Sequence, residues 1–192
     1  MAQIGVELPL SVKDYEWRLR LLDSVDFIVC AWDASLFAGG IGELIQTLQD
    51  VRGRTAHPIV WRGSAPIWTD HLQDGLQIGI DAWVFTQEAE EDRVLELQAR
   101  LRQNGRMAGW AVQTPLAAWP EASGDIVMLC GEAAREIRAP RRRTVRPLQA
   151  RCLHDGSNNL AELKRQDDWW VLDQSIWRFP DVADRIAGWR NF

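Results

Sequence analysis

The 192-residue sequence predicts an α/β protein: a three-layer, mostly parallel sheet with a β-rich C-terminal extension. Three observations carry that expectation. "VDFIVCAW" (25–32) is a short apolar run rich in β-forming residues, suited to a strand covered on both faces. Strand-like and helix-like stretches then alternate as far as residue 103, the pattern of βαβ units with right-handed crossovers. From about residue 105 the rhythm changes to short strand-like segments separated by turn signals. The expected division is an α/β unit over 1–105 and a β-rich extension over 106–192 that shares its sheet or packs on it.

"IGVEL" (4–8) reads as a strand and "DYEWRLRLLDSV" (14–25) as a helix. After the 25–32 strand, Ile41, Leu44, Ile45, Leu48 and Val51 recur at helical spacing and form one apolar stripe. "HPIVWRG" (57–63) is a strand entered through Pro58 and closed by Gly63. A short helix near 69–78 leads to the strand "DAWVFT" (81–86). Thr86 is placed to cap a helix over 87–103, whose first turns carry Glu88, Glu90, Glu91 and Asp92, the charge sign a helix N-terminus favours. Val94, Leu97 and Leu101 form its inward face. "MAGWAVQT" (107–114) and "DIVMLCG" (125–131) are strand-like. Beyond them, "TVRPLQARCL" and "DDWWVLDQSIWRF" suggest strands in hairpins, ending in a helix near 180–189.

Composition narrows the function. At 46% hydrophobic and 26% charged residues, the chain resembles an ordinary globular protein, and no apolar run approaches the length of a membrane span. The start, "MAQIGVELPLSVKDYEWRLR", lacks the basic and apolar regions of a secretory signal, so a cytoplasmic location is expected. Net charge of −5 argues against a general nucleic-acid coat. Cys30 and Cys130 lie within apolar runs and read as buried thiols. Two oddities stand out: Lys13 and Lys164 are the only lysines, and there are eleven tryptophans.

Residues 14–103 resemble a receiver domain of the CheY-like two-component family. "LLDSVDFIVCAWDASLFAGGIGELIQTL" is similar to its central strand, acidic loop and following helix, "HPIVWRGSA" to its fourth strand, and "LQIGIDAWVFTQEAEEDRVLELQARLRQ" to its fifth strand and last helix. The resemblance implies a phosphate-accepting aspartate where Ala31 stands, a hydroxyl at Gly63 (with Ser64 beside it) and a lysine at Thr86. The acidic pair that holds magnesium has no counterpart, and no lysine lies between Lys13 and Lys164. Phosphoryl transfer needs a cation to neutralise developing charge, so the resemblance implies a degenerate receiver without that chemistry.

Other motifs are weak. "GGIG" (39–42) begins too far beyond its strand for a dinucleotide loop, and no GxxxxGK[ST], GxSxG or HExxH is present. His57, His71 and His154 lack metal spacing; Cys152 and His154 form at most half a zinc site, so neither metal nor cofactor is expected. Asp167 and Asp168 read as a solvated turn. Arg135, Arg138, Arg141, Arg142, Arg143, Arg146 and Arg151 make a basic cluster, a candidate for an anion or an acidic partner. Trp169, Trp170, Trp177, Trp189 and Phe192 crowd the C-terminus as candidate protein-contact anchors.

The expected function is therefore non-catalytic: a regulatory or assembly subunit acting through another protein or a second copy. The first alternative is a small-molecule enzyme with its site at the strand C-terminal ends, near Asp33, Ser64 and Thr86. The second is nucleic-acid or anion binding through Arg135–Arg151.

Overall fold

The computed structural model describes residues 3–10, 15–32, 40–86, 91–113, 124–131, 134, 148–153 and 168–190. Eight strands form one closed barrel in chain order: β1 (Gln3–Pro9), β2 (Phe27–Ala31), β3 (Ile59–Gly63), β4 (Ala82–Thr86), β5 (Met107–Val112), β6 (Ile126–Leu129), β7 (Leu148–Leu153) and β8 (Trp169–Leu172). Helices α1 (Tyr15–Leu19), α2 (Gly40–Arg54), α3 (Ile67–Ile78), α4 (Glu91–Gln103) and α5 (Val182–Arg190) accompany them. Short 3-10 turns stand at Leu22–Ser24 and Gln174–Arg178.

Every ladder is parallel, and the last one, Gln3–Val6 against Trp169–Leu172, closes the sheet on itself. The open, receiver-like sheet is thus corrected. A receiver sheet runs in the order 2-1-3-4-5 and has two edges, whereas β1 here is bonded to both β2 and β8. The hairpins expected after residue 105 are corrected too, because β5 to β8 pair only in parallel.

Inside the barrel, the register sorts side chains into tiers supplied by alternate strands. Phe27, Ala82, Ile126 and Trp169 come from even strands. Gly5, Val60, Gly109 and Ala150 come from odd strands and lie one tier nearer the strand C-termini. Val29, Val84, Met128 and Val171 follow. Size alternates between tiers for a steric reason. The rings of Phe27 and Trp169 stack at 4.7 Å, and a Cβ on Gly5 would come within 2.2 Å of the Phe27 ring. The Phe27 ring fits because Gly5, in the next tier, has no side chain to meet it.

The outer faces of the strands meet the helices. α2 buries Leu44, Leu48 and Val51, and α4 buries Val94, Leu97 and Leu101, the stripes their spacing predicts. Tryptophans fill much of the gap: Trp61 stands edge-on to Trp68 at 5.3 Å, and Trp68 edge-on to Trp83 at 6.4 Å. Gly75 admits them, since a Cβ there would sit 2.8 Å from the Trp68 ring.

The N-terminal end of the barrel is tied by one device used four times. An aspartate precedes each even strand, and its carboxylate accepts from a backbone N–H on the preceding odd strand. Asp26 takes Ile4 at 2.8 Å, Asp81 takes Ile59 at 2.9 Å, Asp125 takes Ala108 at 3.1 Å and Asp168 takes Gln149 at 2.9 Å. The same four aspartates donate their own N–H back, to Ile4, Ile59, Ala108 and Gln149 carbonyls. Asp168, expected in a solvated turn, is one of these clamps. Asp81 also binds Arg52 and Arg106, joining α2 and the approach to β5 to the same point.

Tight tiers predict an asymmetric response to added methyls. Gly109→Ala would place Cβ 1.8 Å from the Ile126 carbonyl oxygen, while Gly53→Ala on the exposed side of α2 meets nothing within 4 Å. Urea unfolding should show a loss of at least about 2 kcal/mol for the first. The second should be neutral or stabilising by about 0.5 kcal/mol.

Candidate functional site at the barrel mouth

Because all eight strands are parallel, their C-terminal ends share one rim, and the uppermost inward positions collect there. From β1 that position is Glu7, from β3 Arg62 and from β7 Cys152; Cys130 follows the end of β6. None is a hydrocarbon of the kind that fills the tiers below. β6 and β7 are neighbours, but β1, β3 and that pair are not adjacent to one another, so Glu7, Arg62 and the two cysteines meet only through the barrel interior.

Arg62 is the centre of the group. Its Nη2 contacts Glu7 Oε1 at 2.8 Å. Its Nη1 points at Cys152 Sγ, 3.5 Å away, and Cys130 Sγ, 3.7 Å away. The two sulfurs are 3.0 Å apart and share a hydrogen. Glu7 is almost wholly buried, at 4% side-chain exposure, while Arg62 keeps 19%. The cation is therefore the member of the pair that reaches toward the opening.

Burial would lower the Arg62 guanidinium, yet the Glu7 carboxylate and the two sulfurs more than offset this, and its pKa stands above the ordinary value. Glu7 moves up from 4.5: burial raises it, Arg62 pulls it down, and the negative Asp173 raises it again. The directions oppose one another, one favouring the ion and the other the neutral acid. The 2.8 Å contact to a guanidinium that keeps its proton holds the pair ionic at neutral pH. Glu7 nonetheless takes up a proton more readily than a free carboxyl.

A backbone brace supports this corner. Asp173 directly follows β8; its carboxylate accepts from the Ser175 N–H at 2.9 Å and from the Ser175 hydroxyl, starting the 3-10 turn Gln174–Arg178. That turn delivers Trp177, whose Nε1 donates to the Glu7 carbonyl at 2.7 Å.

Ser64 lies just past β3 and Thr86 ends β4, both half-buried on this same rim; Asp33 falls outside the described residues. Trp169 is inside the barrel against Phe27, and Trp170 packs on the outer face, edge-on to buried Trp189 at 6.2 Å. Phe192, Arg135, Arg138, Arg141, Arg142, Arg143 and Arg146 lie outside the described residues. Arg151, which is described, is fully buried and donates to the Ala134 carbonyl at 2.7 Å. Among the described residues no group of three His, Cys, Asp or Glu could hold a metal ion, and no helix is long and apolar enough to cross a membrane. Sequence reasoning missed Glu7 and Arg62, although each is a lone charge inside an apolar strand, in "GVELP" and "IVWRG".

No protein-family profile matches the chain, and no curated protein is similar to it in sequence. Solved structures are similar in fold. A chain of the tryptophan synthase complex from Pyrococcus furiosus superposes with a TM-score of 0.68 at 13% identity, covering 97% of this chain and 95% of that one. TrpF from Jonesia denitrificans gives 0.65 at 16% identity, covering 97% and 94%. The tryptophan synthase α subunit of Legionella pneumophila gives 0.62 at 7% identity, covering 99% and 85%. At these identities the likeness shows the fold, a TIM barrel, and the chemistry has to be argued from the site. The neighbours overturn the degenerate-receiver reading, and with it the non-catalytic regulatory or assembly subunit built on that sheet.

The ion pair makes a pH-dependent prediction. Arg62→Met leaves Glu7 buried without its cation, which raises the folded-state pKa further above 4.5. A carboxyl shifted this way stabilises the fold below its unfolded pKa, and that contribution is lost as pH rises through the folded value. Urea titrations should therefore find Arg62→Met about 3 kcal/mol less stable at about pH 8, with a much smaller deficit at about pH 4.5. Adding Glu7→Gln should recover most of the loss at the higher pH.

Proposed function

We propose that the protein is an enzyme that performs proton transfer on a small, anion-bearing substrate at the C-terminal mouth of its barrel. The observation that carries this reading is the Glu7–Arg62 pair, two opposite charges set at the top of the barrel interior where hydrocarbon would pack more cheaply. In TIM barrels the C-terminal rim is where active sites stand.

The roles follow from the geometry. Glu7 is the general acid–base group. Its raised pKa brings proton uptake and release closer to neutral pH than a free carboxyl allows. Arg62 is the anion-orienting group; among the described residues its five donors meet one carboxylate oxygen and two soft sulfurs. A substrate anion arriving from the rim would compete for Arg62 and free Glu7 to take a proton. Ser64 and Thr86, on the same rim, are available for hydroxyl contacts to the substrate. The barrel neighbours include tryptophan synthase α and TrpF, which agrees with an enzyme, and the reading borrows no substrate from them.

The test uses the reaction class rather than a guessed substrate. The protein is incubated in D₂O with a panel of sugar phosphates and small carboxylic acids, and NMR follows deuterium entering carbon positions. Wild type should label at least one compound. Glu7→Gln, which keeps the shape of the side chain, should slow that labelling by about 10²–10⁴-fold while its circular dichroism matches wild type. Labelling of the responsive compound should also rise with pH through a pKa above 4.5. Equal labelling by both proteins, or none across the panel, would count against the proposal.

A further inference from the structure

Cys130 and Cys152 are more than filler in the mouth. The β6–β7 ladder pairs Leu129 with Arg151, so the next residues along, Cys130 and Cys152, stand opposite each other. Residues opposed on adjacent strands are about 4.8 Å apart, inside the Cα separation of roughly 4.4–6.8 Å that a disulfide accepts. Their sulfurs already face one another at 3.0 Å, and both are free thiols. A guanidinium stands over them, 3.5 and 3.7 Å away. Each cysteine retains slight exposure, 9% for Cys130 and 7% for Cys152.

Cys30 provides the contrast within the same molecule. It is fully buried on the outer face of β2 among the helix-packing residues, and burial pushes its thiol up to about 12. No thiolate forms there at neutral pH, so it is inert. In the pair, the hydrogen bond from Cys152 favours the Cys130 thiolate, burial opposes it, and Arg62 favours it again, leaving Cys130 below its ordinary value. Cys152 is raised because it donates that hydrogen bond and is itself buried.

We infer that Cys130 and Cys152 are a redox-modification site at the barrel mouth, a dithiol that hydrogen peroxide converts to a reversible disulfide across the β6–β7 ladder. The Cys130 thiolate attacks peroxide, an S–O bond forms as the O–O bond breaks, and hydroxide leaves carrying the electron pair and takes up the proton that Cys130 released on ionising, becoming the first water. Cys152 then attacks Cys130 Sγ; the S–S bond forms, the S–O bond breaks, and water leaves with the Cys152 proton. Two thiols and one peroxide become one disulfide and two waters. A small dithiol reverses the change by exchange. Oxidation removes the thiolate facing Arg62 and leaves Glu7 as its anionic neighbour in this group.

The experiment treats the fully reduced, full-length protein with hydrogen peroxide, blocks remaining thiols by alkylation and measures intact mass, followed by peptide mapping. The expected product is a monomer that has lost two hydrogens and takes up two fewer alkyl groups than the reduced protein, carrying a Cys130–Cys152 cross-linked peptide and restored by dithiothreitol. Cys130→Ser and Cys152→Ser should each lose this product, and Cys30→Ser should retain it. Overturning results are oxygen addition without hydrogen loss, a cross-link through Cys30, disulfides only between chains, or no change in mass. Wild type alone decides the outcome, so a variant that folds poorly does not rescue the idea.

Discussion

The ladder between Gln3–Val6 and Trp169–Leu172 is the interaction on which the remainder depends. Without it β1 and β8 would be exposed edges, each presenting a row of unpaired backbone groups. With it, every strand has two partners, and the inward side chains acquire a common interior. Glu7, Arg62 and the Cys130–Cys152 pair come together only because that interior exists. In an open sheet β1 and β7 would stand apart, and the ion pair would have no enclosing wall.

The two ends of the barrel divide the work. At the N-terminal end, Asp26, Asp81, Asp125 and Asp168 spend their carboxylates on backbone N–H groups, which fixes the stagger between each odd strand and the next. A shift of one residue would break these bonds and turn every inward side chain outward. The middle tiers are apolar and tightly packed, with glycine where aromatic rings need room. At the C-terminal end polar groups face one another. Charge at the bottom is tied to the backbone of the neighbouring strand, while charge at the top is held by other side chains, which a ligand can replace.

Much of the secondary structure is legible in the sequence because it is local. The apolar runs at 25–32, 57–63, 81–86, 107–114 and 125–131 each contain a strand, and the helical stripe of Leu44, Leu48 and Val51 lies where its spacing places it. Consecutive βα units read alike in an open sheet and in a barrel, since both are built from parallel strands joined by helical crossovers. That is why residues 14–103 resemble a receiver. The later strands are short and carry turn residues between them, which mimics hairpins. The site was half visible. A lone Glu7 and a lone Arg62 in apolar strands each demand a buried partner. Nothing in the spacing says that each is the other's partner, because the two strands are not adjacent in the ladder.

By itself, then, the sequence determined the α/β class, most strand and helix positions and the buried character of Cys30 and Cys130. Local periodicity and residue chemistry suffice for those. Only the tertiary structure decided that the sheet closes, that β5 to β8 run parallel, and that two charges and two thiols share one mouth. Those outcomes rest on pairing between opposite ends of the chain and on contacts through a barrel interior, and no local pattern encodes either.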